Sequence, residues 1–273
     1  LIGKALRKMI NSISFPRLGL SFDINRVAFT VFGKEIFWYA LIILTGYILA
    51  VAYCAKRAPR RGVSSDAILD IALYGLIFGL VGARLYYVIF DFDSVRGSIL
   101  NVFKVWEGGL AIYGGIIGAV TTAFVYCRKK SLPTLKVFDL CSPGLLIGQA
   151  IGRWGNFVNA EVYGGATSLP WGMSINGGEC VHPLFLYESL WNALGFALTH
   201  FLGRKNHPDG VIFFFYIAWY STGRLMLEGM RQSEYILYLI DGRLGISQVV
   251  AACGIIVGVV GLVRVLRRPT GQA

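Results

Sequence analysis

Arg153, Asn156 and Asn159 recur at intervals of three within the run Gly152 to Gly164, GRWGNFVNAEVYG, and Glu161 follows directly behind them. On a helix or a tight helical turn the three share one side, which sets a cation beside two amides. Such a set can cradle an anion, because guanidinium and amide N–H groups all donate hydrogen bonds. A second set lies at Tyr220, Arg224 and Glu228, whose four-residue spacing makes one stripe along a helix and lets Arg224 pair with Glu228. Arg84 and Tyr39 stand in further apolar stretches, and His182, just ahead of Pro183, caps or lines the outer mouth. Each has a plainer reading: an arginine in a membrane span snorkels and pairs for structural reasons, and a tyrosine belongs to the interfacial belt. Their convergence argues for function. Arg84, Arg153, Arg224, Glu161 and Glu228 all map to the outer half of the bundle deduced below. Polar groups at that depth are costly, and several cations together point to an anionic ligand of the kind phospholipid head groups supply.

The elements that must hold these residues are membrane helices. Hydrophobic residues make up 55% of the 273 and charged ones 15%, the mean hydropathy is +0.60, and a soluble domain carries roughly 25% charged residues. A hydrocarbon core of about 30 Å needs about 20 helical residues, and seven apolar stretches approach or reach that length: 36–54, 67–90, 109–127, 135–151, 184–202, 210–227 and 245–266. Barrel-type alternation over about ten residues is not seen. Gly75, Gly79 and Gly82, with Gly114, Gly115 and Gly118, mark faces where two helix backbones approach closely. The expected fold is therefore an all-α integral membrane protein, a single polytopic domain over 1–273 with a small extracytoplasmic cap near 152–183 and no cleavable signal peptide.

Charge orients it. Lys56, Arg57, Arg60 and Arg61, then Arg128, Lys129, Lys130 and Lys136, then Arg204 and Lys205, then Arg264, Arg267 and Arg268 all fall on one side of a seven-span arrangement. The positive-inside rule puts that side in the cytoplasm, with the C-terminus, and the N-terminus outside. The net charge of +11 is thus a topology signal and requires no nucleic acid. Lys4, Arg7, Lys8 and Arg17 run against the pattern, and residues 1–12 read as a short amphipathic helix on anionic head groups.

The five cysteines contain no C-x-x-C pair and the three histidines have no ligand spacing, so neither a metal nor a disulfide framework is indicated. Cys54, Cys127, Cys141 and Cys253 read as small packing residues, and Cys180 as a weak nucleophile candidate in an outer loop. No cofactor is expected.

The run Gly152 to Gly164 resembles the G-R-x-G-N-F-x-N-x-E-x-x-G signature of bacterial prolipoprotein diacylglyceryl transferases. The resemblance extends to Gly108–Gly115 (GGLAIYGG), to Ala83-Arg84-Leu85, to His182-Pro183 with Leu186-Tyr187-Glu188, and to the Tyr220, Arg224, Glu228 stripe. It implies seven spans with an outer N-terminus, in a bacterial cytoplasmic (inner) membrane. It implies transfer of the sn-1,2-diacylglyceryl group from phosphatidylglycerol to the lipobox cysteine thiol of a preprolipoprotein, giving a thioether and glycerol 1-phosphate. It also implies that Arg153, Asn156, Glu161 and Gly164 belong to the essential signature, with Tyr39, Tyr220, Arg224 and Glu228 lining the same cavity and Asn159, Arg84 and His182 contributing to substrate binding. Such chemistry needs a group that takes a proton and a group that holds an anion. Arg153 and Arg224 suit the second need; Glu161 and Glu228 either orient the arginines or accept the proton. Tyr113 stands where some family members carry His; a phenol is a poor base at neutral pH, so Tyr113 joins Arg153, Glu161 and Arg224 as a catalytic candidate through a hydroxyl hydrogen bond to the phosphate. Two rivals stay open: a multispan phospholipid transporter and another phospholipid-dependent transferase. The first should show an inverted repeat with midplane sites. An H-x-x-x-x-D acyltransferase needs a spacing that none of the histidines has.

Overall fold

The computed structural model describes residues 10–91, 108–236, 238–240 and 244–267. Among these are seven long helices: α1 (Trp38–Arg57), α2 (Ser65–Phe90), α3 (Ile112–Lys129), α4 (Thr134–Asn159), α5 (Leu184–Leu202), α6 (Val211–Glu228) and α7 (Ile246–Leu266). Each overlaps one of the seven apolar stretches. Three helical segments, Trp38–Arg61, Ser65–Phe90 and Ile246–Leu266, are long and apolar enough to cross a membrane. Leu44, Ile48, Leu73, Leu76, Ile256 and Val257 on these helices are each more than half exposed, as side chains that face lipid are. The basic residues Lys4, Arg7, Lys8 and Arg268, and nearly all of the expected outer segment 91–108, lie outside the described residues.

Helix α4 runs through Pro143 and continues eight residues past the expected end of its span. The signature residues Arg153, Asn156 and Asn159 are therefore helical, and the cap starts at Ala160 instead of Gly152.

The all-α expectation is corrected at the N-terminus and in the cap. Strands β1 (Ile10–Phe15), β2 (Leu20–Asn25), β5 (Met173–Ile175) and β6 (Cys180–Val181) form one antiparallel sheet in the order β2-β1-β5-β6. Strands β3 (Val27–Val31) and β4 (Lys34–Phe37) form a separate hairpin, and β7 (Tyr238–Ile240) pairs with β8 (Leu244–Gly245). The helix expected over 1–12 is strand from Ile10 onward; residues 1–9 lie outside the described residues. Period-two patterning explains β1, because Asn11, Ile13 and Phe15 alternate inward. Ile13 and Phe15 join Met173, Val181 and Phe185 in a small core against Phe157 of α4, and Asn11 Nδ2 donates to the Val158 carbonyl at 2.9 Å. The sheet thus braces the C-terminal turn of the signature helix.

The chain divides into two compact units, 1–50 with 141–273, and 51–140. Within 51–140, α2 lies along α3 through the expected glycines: a Cβ on Gly82 would stand 2.5 Å from the Gly114 carbonyl oxygen. Gly75 faces open space and takes no part in that contact. In the other unit, α5 and α6 are joined by two stacked indoles, Trp191 and Trp219, with ring centroids 4.2 Å apart. Each Nε1 donates to the other residue's carbonyl at 3.1 Å, and the rings lie over Gly223 and Gly195, where any larger residue would collide. This pair fixes the relative position of the two helices that carry most of the charges described next.

Candidate functional site

Five charged residues meet at the ends of α4, α5 and α6. Glu188 stands one turn into α5, and its carboxylate meets the Nε of Arg153 on α4, Nη2 of Arg231 at 3.0 Å and Nη1 of Arg224 on α6 at 3.8 Å. Arg224 also reaches Glu228 at 3.0 Å, as their i,i+4 spacing requires, and the Glu228 carboxylate lies 3.6 Å from the Nε of Arg231. The carboxylates and Arg231 are the buried members: the Glu188, Glu228 and Arg231 side chains are 8%, 1% and 8% exposed, against 22% and 21% for Arg153 and Arg224. Three arginines against two carboxylates leave a net charge of +1. Burial and the nearby Arg224 push the pKa of Arg231 below its ordinary value, while Glu188 and Glu228 oppose the shift; a guanidinium stays charged through such shifts. The carboxylates hold the guanidinium groups in place, and Arg224 Nη2 also donates to the Ser247 hydroxyl at 3.4 Å.

A narrow, half-open cleft beside them is lined by Arg153, Arg224, Glu188, Tyr220, Trp191 and Asn192, with Gly223 and Leu227. Asn192 Nδ2 donates to the Glu188 carbonyl at 2.8 Å, and its buried Oδ1 has no hydrogen-bond partner among the described residues. Tyr220 stacks on Tyr216, whose hydroxyl accepts from Gln149 Nε2 at 3.0 Å.

The signature side chains form a relay away from this cleft. Arg153 Nη1 donates to Asn156 Oδ1 at 3.4 Å; Asn156 Nδ2 and Asn159 Nδ2 both donate to Glu161 Oε1, at 3.1 and 3.3 Å. Glu161 reaches back because the chain turns sharply after α4: Ala160 and Val162 both take positive φ, 53° and 56°. A β-branched residue there is strained, and such strain persists where the surroundings over-determine it, often at functional sites. Tyr39, at the start of α1, packs its ring over Gly155, where a Cβ would come within 2.7 Å. Gly164 is threaded between two other segments: its N–H donates to the His182 carbonyl at 3.0 Å, and a Cβ would stand 2.6 Å from His182 Cβ and 2.8 Å from the Met230 carbonyl oxygen. Only glycine fits, and this passage places Arg231 beside the cluster through its bridge to Gly164. His182 Nδ1 lies 3.4 Å from the Tyr187 hydroxyl, which also accepts from Trp171 Nε1 at 2.6 Å.

Arg84 and Tyr113 belong to the 51–140 unit. Arg84 Nη1 donates to the Gly108 and Gly109 carbonyls at 2.7 and 2.9 Å and its guanidinium lies over the Tyr87 ring, so it secures the turn that leads into α3. Tyr113, in the first turn of α3, lies 6.5 Å from Tyr86 between ring centroids.

The site thus contains Arg153, Asn156, Asn159, Glu161, Arg224 and Glu228, as their spacing leads one to expect, and also Glu188 and Arg231, which the spacing does not indicate. Glu188 carries a signal, being the one charged side chain of α5 apart from His200, which by itself marks a candidate site. Arg231 carries a weaker one, three residues beyond Glu228.

A helical chain with apolar spans and an arginine–carboxylate cluster of net positive charge beside a cleft is that of a membrane protein with a cationic site. The sequence profile of the prolipoprotein diacylglyceryl transferase family matches residues 26–264, and the chain belongs to that family. It is 41% identical over 237 residues to the phosphatidylglycerol–prolipoprotein diacylglyceryl transferase of Clostridioides difficile, covering 86% of this chain and 93% of the relative. The Streptococcus pyogenes enzyme of the same name is 42% identical over 251 residues, covering 88% and 95%.

Proposed function

We propose that this chain transfers the diacylglyceryl group of phosphatidylglycerol to the lipobox cysteine thiol of a prolipoprotein, the first step of lipoprotein maturation. The observation that carries the reading is the cleft faced by Arg153 and Arg224, whose guanidinium groups are held by Glu188 and Glu228 and leave a net positive charge. A new S–C bond forms as the glyceryl C–O bond to phosphate breaks. The phosphate departs with the bonding electrons as glycerol 1-phosphate, and the thiol proton passes to a base. Charge grows on the phosphate oxygens as that bond breaks, and planar guanidinium forks fixed in a water-poor site are suited to meet it. Glu188 and Glu228 are committed to arginines, whereas Glu161 is held by two neutral amides. Glu161 is therefore the carboxylate available to take the proton. Tyr39, Tyr220, Asn156 and Asn159 position the donor lipid around the arginines, and His182 shapes the surroundings.

The donor's phosphate is the feature the site reads. With a lipobox peptide as acceptor, phosphatidylglycerol should give the thioether and diacylglycerol, which has no phosphate to bind or expel, should give none. Equal yields from the two lipids would remove the phosphate from the reaction.

A phenol is a poor base, so Tyr113→Phe should keep a measurable rate. The loss of one hydroxyl hydrogen bond, about 0.5 to 3 kcal/mol depending on the partner's charge, corresponds to about two-fold to just over a hundred-fold. Glu161→Gln should lose more. Steady-state rates of the two variants decide between them, and complete inactivity of a folded Tyr113→Phe protein would make Tyr113 the essential residue.

We place all seven helices across a bacterial inner membrane with the N-terminus outside, one polytopic domain in which the cap and the arginine cluster face outward. The basic residues at the ends of α1, α3 and α7 support that direction. Single cysteines placed in 160–183 should react with an impermeant thiol reagent on intact cells, and those in 128–136 should not; the reverse pattern would invert the arrangement.

A further inference from the structure

The β3–β4 hairpin is built as an amphipathic sheet that no other element among the described residues covers. Its register pairs Val31 with Lys34, Thr30 with Glu35 and Phe29 with Ile36. Opposed residues share a face and neighbours alternate, so Phe29, Val31 and Ile36, with the stem of Lys34, form one side, and Thr30 and Glu35 the other. Among the described residues no third strand joins it, and Phe29 and Val31 remain 50% and 42% exposed. An isolated two-stranded hairpin is marginal at best in water.

The tip sharpens the point. Phe32 and Gly33 both take positive φ, 48° and 77°, the two-residue turn that favours Asn-Gly. A bulky residue is strained in the first position, yet Phe32 occupies it with its side chain fully exposed, at 101%. In water that residue would combine backbone strain with an unburied aromatic ring.

The base of the hairpin indicates what covers it. Strand β4 ends at Phe37 and α1, one of the segments apolar enough to span a bilayer, begins at Trp38 without a linker. The Trp38 N–H donates to the Arg26 carbonyl at 3.0 Å and ties the helix start to the foot of β3. Phe37 and Trp38 are themselves 41% and 45% exposed, as aromatic residues at a lipid–water boundary are. From Trp38 to Phe32 the chain reaches no more than about 20 Å at about 3.3 Å per residue. The hairpin therefore cannot leave the neighbourhood of the bilayer surface.

We propose that this hairpin lies in the head-group to acyl boundary beside α1, with Phe32, Phe29 and Val31 inserted among phospholipids, Lys34 reaching the phosphates and Thr30 and Glu35 facing water. It rests on α1 crossing the membrane and not on the transferase reading. Its consequence is a second lipid anchor for the cap, because β2 of the cap sheet ends at Asn25, two residues before β3 begins.

The test uses the full chain in nanodiscs of phosphatidylglycerol and phosphatidylcholine, with the photo-crosslinking analogue p-benzoylphenylalanine in place of Phe32 or, separately, of Glu35. The fully exposed tip leaves room for the larger ring. After irradiation, peptide mass spectrometry should find one phospholipid on the peptide containing residue 32, at least ten-fold more than on the residue 35 variant. Lipid adducts at 32 no more frequent than at 35, or adducts chiefly to another segment or a second copy of the chain, would overturn the proposal.

Discussion

Replacing Glu188 by Gln is expected to cost about 3 to 5 kcal/mol of stability and nearly all activity, because it removes one partner of a buried charge cluster and leaves the rest uncompensated. Glu188 meets Arg153, Arg224 and Arg231 together. An amide of the same size fills the same space but supplies neither the charge nor two acceptor oxygens. Buried ion pairs are weak stabilisers when intact, since desolvation offsets their attraction, so the value of Glu188 lies in aiming three guanidinium groups. Thermal unfolding in detergent, run beside the transfer assay, measures both effects. An unchanged unfolding midpoint with near-normal turnover would show that the arginines are positioned without it. Glu188→Asp, which keeps the charge at shorter reach, should recover part of both.

Arg153→Lys should lower turnover about a hundred- to a thousand-fold, the range seen when one donor to a developing oxyanion is removed, while expression and thermal stability stay close to the parent's. Lysine keeps the positive charge and so still offsets Glu188. It lacks the planar fork that lets Arg153 contact Glu188 through Nε, Asn156 through Nη1 and a phosphate at once. The loss should appear mainly in kcat, since the fork is needed most where charge develops in the transition state. A rate near that of the parent would take Arg153 out of the phosphate-binding role.

The parts of this arrangement legible in the sequence are those set by local periodicity. Three-residue spacing put Arg153, Asn156 and Asn159 on one side of α4, and four-residue spacing paired Arg224 with Glu228, as the distances bear out. Apolar run length placed all seven helices to within a few residues, apart from α4, whose last eight residues are too polar to read as span. What escaped depends on contacts between distant segments. Strand β1 is six residues long and pairs with β5 through Ile13 and Ile175, a match no local pattern reveals. Arg231 enters the cluster because Gly164 threads between His182 and Met230, again a long-range event. Glu188 was readable as a lone carboxylate in an apolar helix, but its three partners come from α4, α6 and the turn beyond α6. The spacing of residues on α5 alone could not supply them.

In the proposed reaction a cluster of arginines steadies a departing phosphate while a thiol takes the diacylglyceryl group. The most direct measurement is the mass of a lipobox peptide after incubation with the purified protein and phosphatidylglycerol of defined acyl chains. The cysteine should gain one intact diacylglyceryl group, stable to hydroxylamine as a thioether must be, with an equal amount of glycerol phosphate released. A peptide that gains a single acyl group, or none while the lipid is merely moved between leaflets, would contradict that reaction.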